Sequence, residues 1–248
     1  MNDSSEIRPV EKQPQRFATT SWSVILQAAQ GETADGVAAL DSLCRQYWYP
    51  LYAFVRRKGH PAEAAEDLTQ GFFAFLLEKN SLMKAEQARG RFRTFLMTAM
   101  NNFLINHHRY QNAKKRELER WNSIDRHNGE LRYQTEGVDE LTPESVFDRN
   151  WAMTVLLSVS SELSQYYQKK GKAEIFDHLF PVMTKENTQQ TYAQLAAELG
   201  HSESAVKVAI HRMREKSQQI LRSKIAATVT DPSEIDEEIA ELFRILSV

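Results

Sequence analysis

A stretch in the first half of the chain combines cations with amide and aromatic side chains. Between residues 89 and 120 there are eight arginines and lysines and only two acids. Six polar or aromatic residues are interleaved with these cations: Asn101, Asn102, Asn106, His107, His108 and Tyr110. Cations can hold phosphates while amides and rings meet exposed bases, which suits melted or single-stranded nucleic acid better than a closed duplex. The alternative is a solvated basic helix end.

A second pattern lies between residues 191 and 224. Thr191 and Gln194 have the spacing of a capping box, which predicts the start of a short helix. Gly200 is expected to end this helix in a turn, and Ser202 can cap the next one. Three apolar residues of the second helix are expected to face inward: Val206, Ile210 and Met213. Two short helices joined by a glycine-containing turn form a helix-turn-helix.

The outward side of that second helix carries polar and basic side chains. Side chains near the start of such a helix can reach base edges in a major groove. The candidates are Glu203, Ser204, Lys207, Val208, His211 and Arg212. Four later cations could contact phosphates: Arg214, Lys216, Arg222 and Lys224. The alternative is a helical hairpin that only packs against a partner protein.

No pattern of residues points to catalysis or metal binding. The seven histidines are scattered, and neither a GxSxG sequence nor a glycine-rich phosphate loop is present. No Cys/His spacing fits a zinc site, and the single cysteine, Cys44, cannot form an intrachain disulfide. We therefore expect no enzymatic activity, no catalytic residue, no metal and no cofactor.

The overall composition is that of an ordinary folded protein. Of the 248 residues, 42% are hydrophobic and 26% are charged. A formal net charge of -2 gives no global sign of nucleic-acid binding, so the local distribution of charge has to carry that interpretation. The beginning of the chain lacks the apolar core of a signal peptide, and no apolar run is long enough to cross a bilayer. We expect a cytoplasmic protein that does not bind membranes.

Apolar residues at steps of three and four predict an all-α fold with two helical domains joined by a linker, the second domain ending in the helix-turn-helix. The predicted segments are a flexible N-terminal arm (1–16), a first helical domain (17–116), a polar linker (117–147), a second domain (148–227) and an acidic C-terminal tail (228–248). Pro50 predicts a kink or a short break near Tyr49. Gly59 and Pro61 are expected to separate the first two helices.

The acidic tail has its own helical pattern. Its apolar residues recur at helical spacing among six acids: Ile235, Ile239, Leu242 and Phe243. This predicts an amphipathic helix that packs on the second domain. Two roles stay open for such a helix. It could temper DNA affinity by lying near the basic face, or it could simply add to the packing.

Two stretches of the chain resemble the extracytoplasmic-function sigma factors of the sigma-70 family. The stretch from Leu40 to Arg116 resembles their region 2, where AEDLTQGFFAFLLEK is similar to the pattern D-x-x-D-L-x-Q-x-x-F. The stretch from about Trp151 to Lys224 resembles their region 4, where TYAQLAAELGHSESAVKVAIHRMREK is similar to Y-x-E-I-A-x-x-L-G-x-S-x-x-T-V-K-x-x-x-x-R-A-R. The two stretches come in the family's order, with a linker between them.

The resemblance implies an alternative sigma factor that binds core RNA polymerase, directs it to specific promoters and assists promoter melting. Four positions then fall on the helix that binds the clamp helices of the largest polymerase subunit: Asp67, Leu68, Gln70 and Phe72. Six fall on the segment that opens and reads the minus-ten element: Asn102, Asn106, Arg109, Lys114, Lys115 and Arg116. Five fall on the helix that reads the minus-thirty-five element: Glu203, Ser204, Lys207, His211 and Arg212.

The implied partners are promoter DNA and the core polymerase, through its clamp helices and its flap. The sequence leaves open whether an anti-sigma protein or a regulatory kinase also binds. It departs from the family pattern at four positions: Phe95, Asn106, Ala205 and Met213. Two other classes compete with this reading, a stand-alone helix-turn-helix regulator of duplex DNA and a scaffold that binds only proteins. The residues from Asp67 to Phe72 distinguish a sigma factor from a stand-alone regulator, because a simple repressor has no need of a polymerase-binding helix.

Overall fold

The computed structural model describes residues 34–77, 91–110, 127–135, 141–184 and 190–247. Every regular element within these ranges is helical, which confirms the all-α prediction. The helices are α1 (Ala34–Arg57), α2 (Ala62–Leu77), α3 (Phe92–Tyr110), α4 (His127–Thr135), α5 (Pro143–Lys169), α6 (Ala173–Met183), α7 (Tyr192–Glu198), α8 (Glu203–Ala226) and α9 (Ile235–Leu246), with a 3₁₀ turn (Pro232–Glu234) before α9. The predicted N-terminal arm (1–16) lies outside the described residues.

Helix α1 runs unbroken through Pro50. Of the two outcomes expected near Tyr49, the break is therefore wrong. Proline costs one backbone hydrogen bond in a helix interior, but this part of α1 is buried from Tyr47 to Val55, and packing offsets the loss. The predicted boundary between the first two helices is confirmed, because Gly59 takes the left-handed conformation (φ +95°) and α2 begins directly after Pro61.

Helix α5 packs most extensively on α1. Thr142 caps its first turn and Pro143 occupies the first helical position, where a missing N–H costs nothing. Phe147 meets Phe54 of α1 edge to face with ring centroids 6.4 Å apart, and Trp151 is completely buried. The buried side chains therefore form one continuous cluster that crosses the predicted domain boundary at residue 148.

The predicted linker (117–147) contains a helix, α4, that packs against α1. A Cβ at Gly129 would lie 2.9 Å from the Trp48 ring, so only glycine allows this close approach. Next to it, Glu130 accepts two hydrogen bonds from Arg56, both 2.8 Å, and a third of 2.5 Å from the Tyr52 hydroxyl. The sequence did not predict α4 because polar contacts, rather than an apolar stripe, attach it to α1.

The helical pair α7 and α8 has the local structure that the sequence predicts. Thr191 and Gln194 form the reciprocal hydrogen bonds of a capping box, Gly200 has a φ of +64°, and the Ser202 hydroxyl accepts from the backbone of Ala205. The three predicted inward residues of α8 are buried: Val206, Ile210 and Met213. These contacts turn the opposite side of α8 toward solvent.

Helix α9 is the amphipathic helix predicted in the tail. Ile235 and Leu242 are buried, while half of the Phe243 side chain is exposed. The helix packs on α5 and α8, and it also reaches residues of α3, which the sequence did not predict. Within the described ranges, none of the helices combines the length and apolar character that a membrane crossing needs.

Candidate functional site

The four residues of α2 implied to bind polymerase divide into two pairs. Asp67 is exposed and Gln70 is partly exposed, whereas Leu68 and Phe72 are buried, with 5% and 0% of their surfaces exposed. The Gln70 amide donates to the Glu66 carboxylate at 3.3 Å on the outer side of the helix. Only Asp67 and Gln70 therefore offer atoms to a partner, and the two apolar residues hold α2 in place.

The inner side of α2 sets the position of α3. The rings of Phe72 and Phe103 lie 5.7 Å apart, and Phe75 contacts Phe103 at the same distance. A Cβ at Gly71 would lie 3.4 Å from the Phe103 ring, so the two helices are in close contact here. Because Phe103 follows directly after Asn102, this packing orients the opposite, polar side of α3.

That polar side of α3 presents amides and one apolar side chain to solvent. Asn102 and Asn106 are exposed, and 78% of the Ile105 side chain between them is accessible. The Asn106 amide donates to the backbone oxygen of Asn102 at 2.9 Å, which orients it along the helix. Amide edges beside an exposed apolar surface suit unstacked bases. Arg109 lies in the last turn of α3, and Lys114, Lys115 and Arg116 lie outside the described residues.

The two arginines at the start of α3 have a different role from the phosphate contact that the sequence suggested. Arg93 is 7% exposed and donates to Glu238 of α9 at 2.7 Å and to Asp148 of α5 at 2.5 Å. Its guanidinium also lies 4.8 Å from the centre of the Trp151 ring. Burial works against the charge of Arg93, but the two acids outweigh it and the pKa is raised.

Arg91 adds a second cation to this junction. Its Nε lies 2.9 Å from Glu238, and its Nη2 lies 3.5 Å from Glu237. Glu238 itself is 1% exposed, so a carboxylate is buried between two guanidinium groups. The sequence held one signal for this arrangement. Glu238 lies three residues after Ile235 and four before Leu242, on the buried side of α9.

The five residues of α8 implied to read the minus-thirty-five element all lie on its exposed side: Glu203, Ser204, Lys207, His211 and Arg212. The Lys207 ammonium lies 2.7 Å from the Glu203 carboxylate, whose hydrogen bond and charge raise the pKa of Lys207. The Nε2 atom of His211 lies 3.4 Å from the Glu215 carboxylate. Pairs this exposed stabilise a protein little, so incoming phosphates or bases can displace them.

Several of the four later cations suggested for phosphate contact are engaged within the protein. Both terminal nitrogens of Arg222 donate to the Asp236 carboxylate of α9. Lys224 lies 2.9 Å from Glu162 of α5, and Lys216 lies 4.9 Å from the centre of the Tyr166 ring. Arg214 is exposed. In the part of the chain that the structure describes, no three His, Cys, Asp or Glu side chains form a group that could hold a metal ion.

Comparison with protein families gives a match over the part of the sequence that forms most of α1 together with α2 and α3. Residues 43–114 match the family described as Sigma-70 region 2. No curated protein matches the chain, and no solved structure does. The match supports a sigma factor of the sigma-70 family, a class of protein that binds core RNA polymerase and recognises promoters.

Proposed function

We propose that this chain is an alternative sigma factor of the extracytoplasmic-function type. It binds core RNA polymerase, directs it to specific promoters through the minus-ten and minus-thirty-five elements, and assists melting without a chemical step of its own. The proposal rests above all on the Sigma-70 region 2 match over residues 43–114. A stand-alone regulator of duplex DNA has no use for that region.

The exposed side of α2 is the proposed contact with the polymerase clamp helices. Asp67 provides a carboxylate and Gln70 an amide, and both stand on a helix whose opposite side is fixed in the core by Phe72. A rigid support lowers the entropy lost on binding. Association with polymerase then places α3, which packs on α2 through Phe103, at a defined position.

The outward side of α3 is the proposed reader of the minus-ten element. Asn102 and Asn106 can donate to and accept from base edges, and Arg109 with Lys114, Lys115 and Arg116 can hold phosphates. Unstacking a base costs a few kcal/mol, and a protein surface that holds the extruded base offsets this cost. Binding to the open form therefore favours melting by mass action, with no catalytic residue on this chain.

The start of α8 is the proposed reader of the minus-thirty-five element. Glu203, Ser204, Lys207, His211 and Arg212 lie on the first three turns, where a recognition helix meets base edges. The capping box of α7 and the turn at Gly200 orient this end of α8 relative to the core. Direct hydrogen bonds from these side chains would supply the sequence preference.

Transcription with purified core polymerase on a library of promoter fragments tests the proposal. The chain is expected to associate with core enzyme and to select a small set of start sites that share two separated elements. A chain that binds the same DNA equally well without polymerase, and leaves start sites unchanged when polymerase is present, would be a stand-alone regulator instead. Retention on heparin with a steep salt dependence would argue against a scaffold that binds only proteins.

A further inference from the structure

The tail helix α9 connects the two parts of the molecule that carry the proposed DNA contacts. Glu238 binds Arg93 and Arg91 at the start of α3, and Asp236 binds Arg222 in α8. The segment before α9 adds a backbone hydrogen bond of 3.1 Å from the Phe92 amide to the Thr228 oxygen. One short helix is thus attached both to the helix of Asn102 and Asn106 and to the helix of Lys207 and Arg212.

The charge of α9 opposes DNA at cations of the same two helices, beside the start of α3 and near the end of α8. Residues 231–247 carry six acids and one arginine, and the side chain of Glu237 is 74% exposed beside Arg91. Phosphates that approach the start of α3, or Arg222 on α8, would meet these carboxylates at short range. Like charges at such distances repel, so docking of α9 and binding of DNA disfavour each other.

The contacts of α9 are also those of a helix that can undock from α5 and α8. Five apolar side chains of α9 pack on the core, but only Ile235 and Leu242 are buried, while Ile239, Ile245 and Leu246 are partly exposed and half of Phe243 is exposed. The buried ion pairs around Glu238 carry a large desolvation cost, so loss of one partner leaves an uncompensated buried charge and favours release of the helix. A helix of 12 residues at this end of the described chain can therefore undock without dismantling the core between α1 and α5.

We propose that α9 is an internal latch, closed through Glu238 and Arg93, that holds α3 and α8 in one arrangement and lowers promoter affinity until it is released. This inference rests on the proposed function. A closed latch weakens DNA binding by the free protein, and any partner that binds better to the open form releases the latch. Helix α9 packs on α5 and α8, so it belongs to a different surface from the outer side of α2 proposed to bind core polymerase.

The test compares two neutralising substitutions in the full chain. Glu238→Gln removes the buried carboxylate charge that Arg93 and Arg91 share, and Glu174→Gln, its control, removes an exposed charge on α6, away from α9. Hydrogen exchange measures docking of α9, and fluorescence anisotropy with a promoter fragment measures DNA binding. Glu238→Gln is expected to speed exchange in residues 235–246 and to tighten promoter binding about five- to tenfold, whereas Glu174→Gln stays within about twofold of the unchanged chain.

A second variant keeps the test decisive if Glu238→Gln does not fold. Leu242→Ala weakens the apolar packing of α9 on the core without altering charge, and it should produce the same gain in promoter affinity. Faster exchange in α9 with unchanged or weaker promoter binding would show that the helix only packs, which overturns the latch. Unchanged exchange in both variants would overturn it as well.

Transcription with core polymerase, run in the same series, separates this inference from the proposed function. If the unchanged chain starts transcription and the variants bring no gain in promoter binding, only the latch is rejected. If neither the unchanged chain nor any variant starts transcription, the proposed function itself is rejected.

Discussion

Phe72 and Phe103 meet with their ring centroids 5.7 Å apart and join the proposed polymerase-binding helix to the proposed minus-ten helix. Phe72 is completely buried, although the family pattern includes it among residues of the polymerase-binding helix. Its effect on polymerase binding should therefore be indirect, through the position of α2 and α3. Asp67, five residues earlier on the exposed side, should act directly.

Substitution of these two residues should separate stability from polymerase binding. Phe72→Ala is expected to lower the free energy of unfolding by about 3–5 kcal/mol, because it removes a buried ring and leaves a cavity. Asp67→Ala should leave the unfolding midpoint in urea nearly unchanged and weaken association with core polymerase. Equal losses of stability in both variants would contradict the assignment of Asp67 to the interface.

The charged cluster of Glu130, Arg56 and Tyr52 predicts a pH dependence of stability. Hydrogen bonding to Arg56 lowers the pKa of Glu130 below its ordinary value of 4.5. A carboxyl group with a lowered folded-state pKa stabilises the protein above its unfolded-state value, and this stabilisation is lost as the pH falls through the folded-state value. Attachment of α4 to α1 should therefore weaken in acid, below about pH 4.5.

Glu130→Gln tests this dependence. At neutral pH the variant is expected to lose about 1–2 kcal/mol of unfolding free energy, since Arg56 keeps a neutral acceptor in place of a charged one. Unfolding in urea at several pH values should show that the difference between the two proteins narrows in acid. A difference that stays constant from neutral pH to below 4 would show that the ionised form of Glu130 stabilises the fold no more than the protonated form does.

The exposed amides of α3 should act after DNA is bound. Asn102→Ala and Asn106→Ala are expected to leave folding intact and to lower open-complex formation on duplex promoters, measured by permanganate reactivity of unpaired thymines. Gln168→Ala, an exposed amide on α5, is the matched control. If the amides read melted bases, the two variants should also form fewer stable complexes on a template with a preformed bubble. Normal complex formation on that template would limit the role of the amides to opening the duplex.

The cations of α8 should set sequence preference. Lys207→Ala or Arg212→Ala is expected to reduce discrimination between the correct upstream element and a changed one by about 1–3 kcal/mol for each lost base contact. Lys115→Ala should weaken binding uniformly across sequences, as loss of a phosphate contact does. Lys172→Ala, in the turn before α6, is the control for simple loss of charge. If the α8 variants weaken binding to all DNA sequences by the same factor, Lys207 and Arg212 do not contact bases.

Local features of the fold could be predicted from sequence, and long-range polar ones could not. The capping box at Thr191 and the glycine turn at Gly200 depend on a few neighbouring residues, so their spacing determines them. Helix α4 and the pair of Arg93 with Glu238 depend on residues 74 to 145 positions apart. Charged residues usually lie at the surface, and no local pattern links Arg93 to a buried partner 145 residues later in the chain.

Run-off transcription with core polymerase from a promoter selected by this chain tests the central claim most directly. With the unchanged chain, core polymerase should start at one defined position, and with Asp67→Ala the transcript should fall while the unfolding midpoint of the variant in urea stays nearly unchanged. A start that is identical with and without the chain, or a transcript that Asp67→Ala leaves unaltered, would contradict a factor that acts through polymerase.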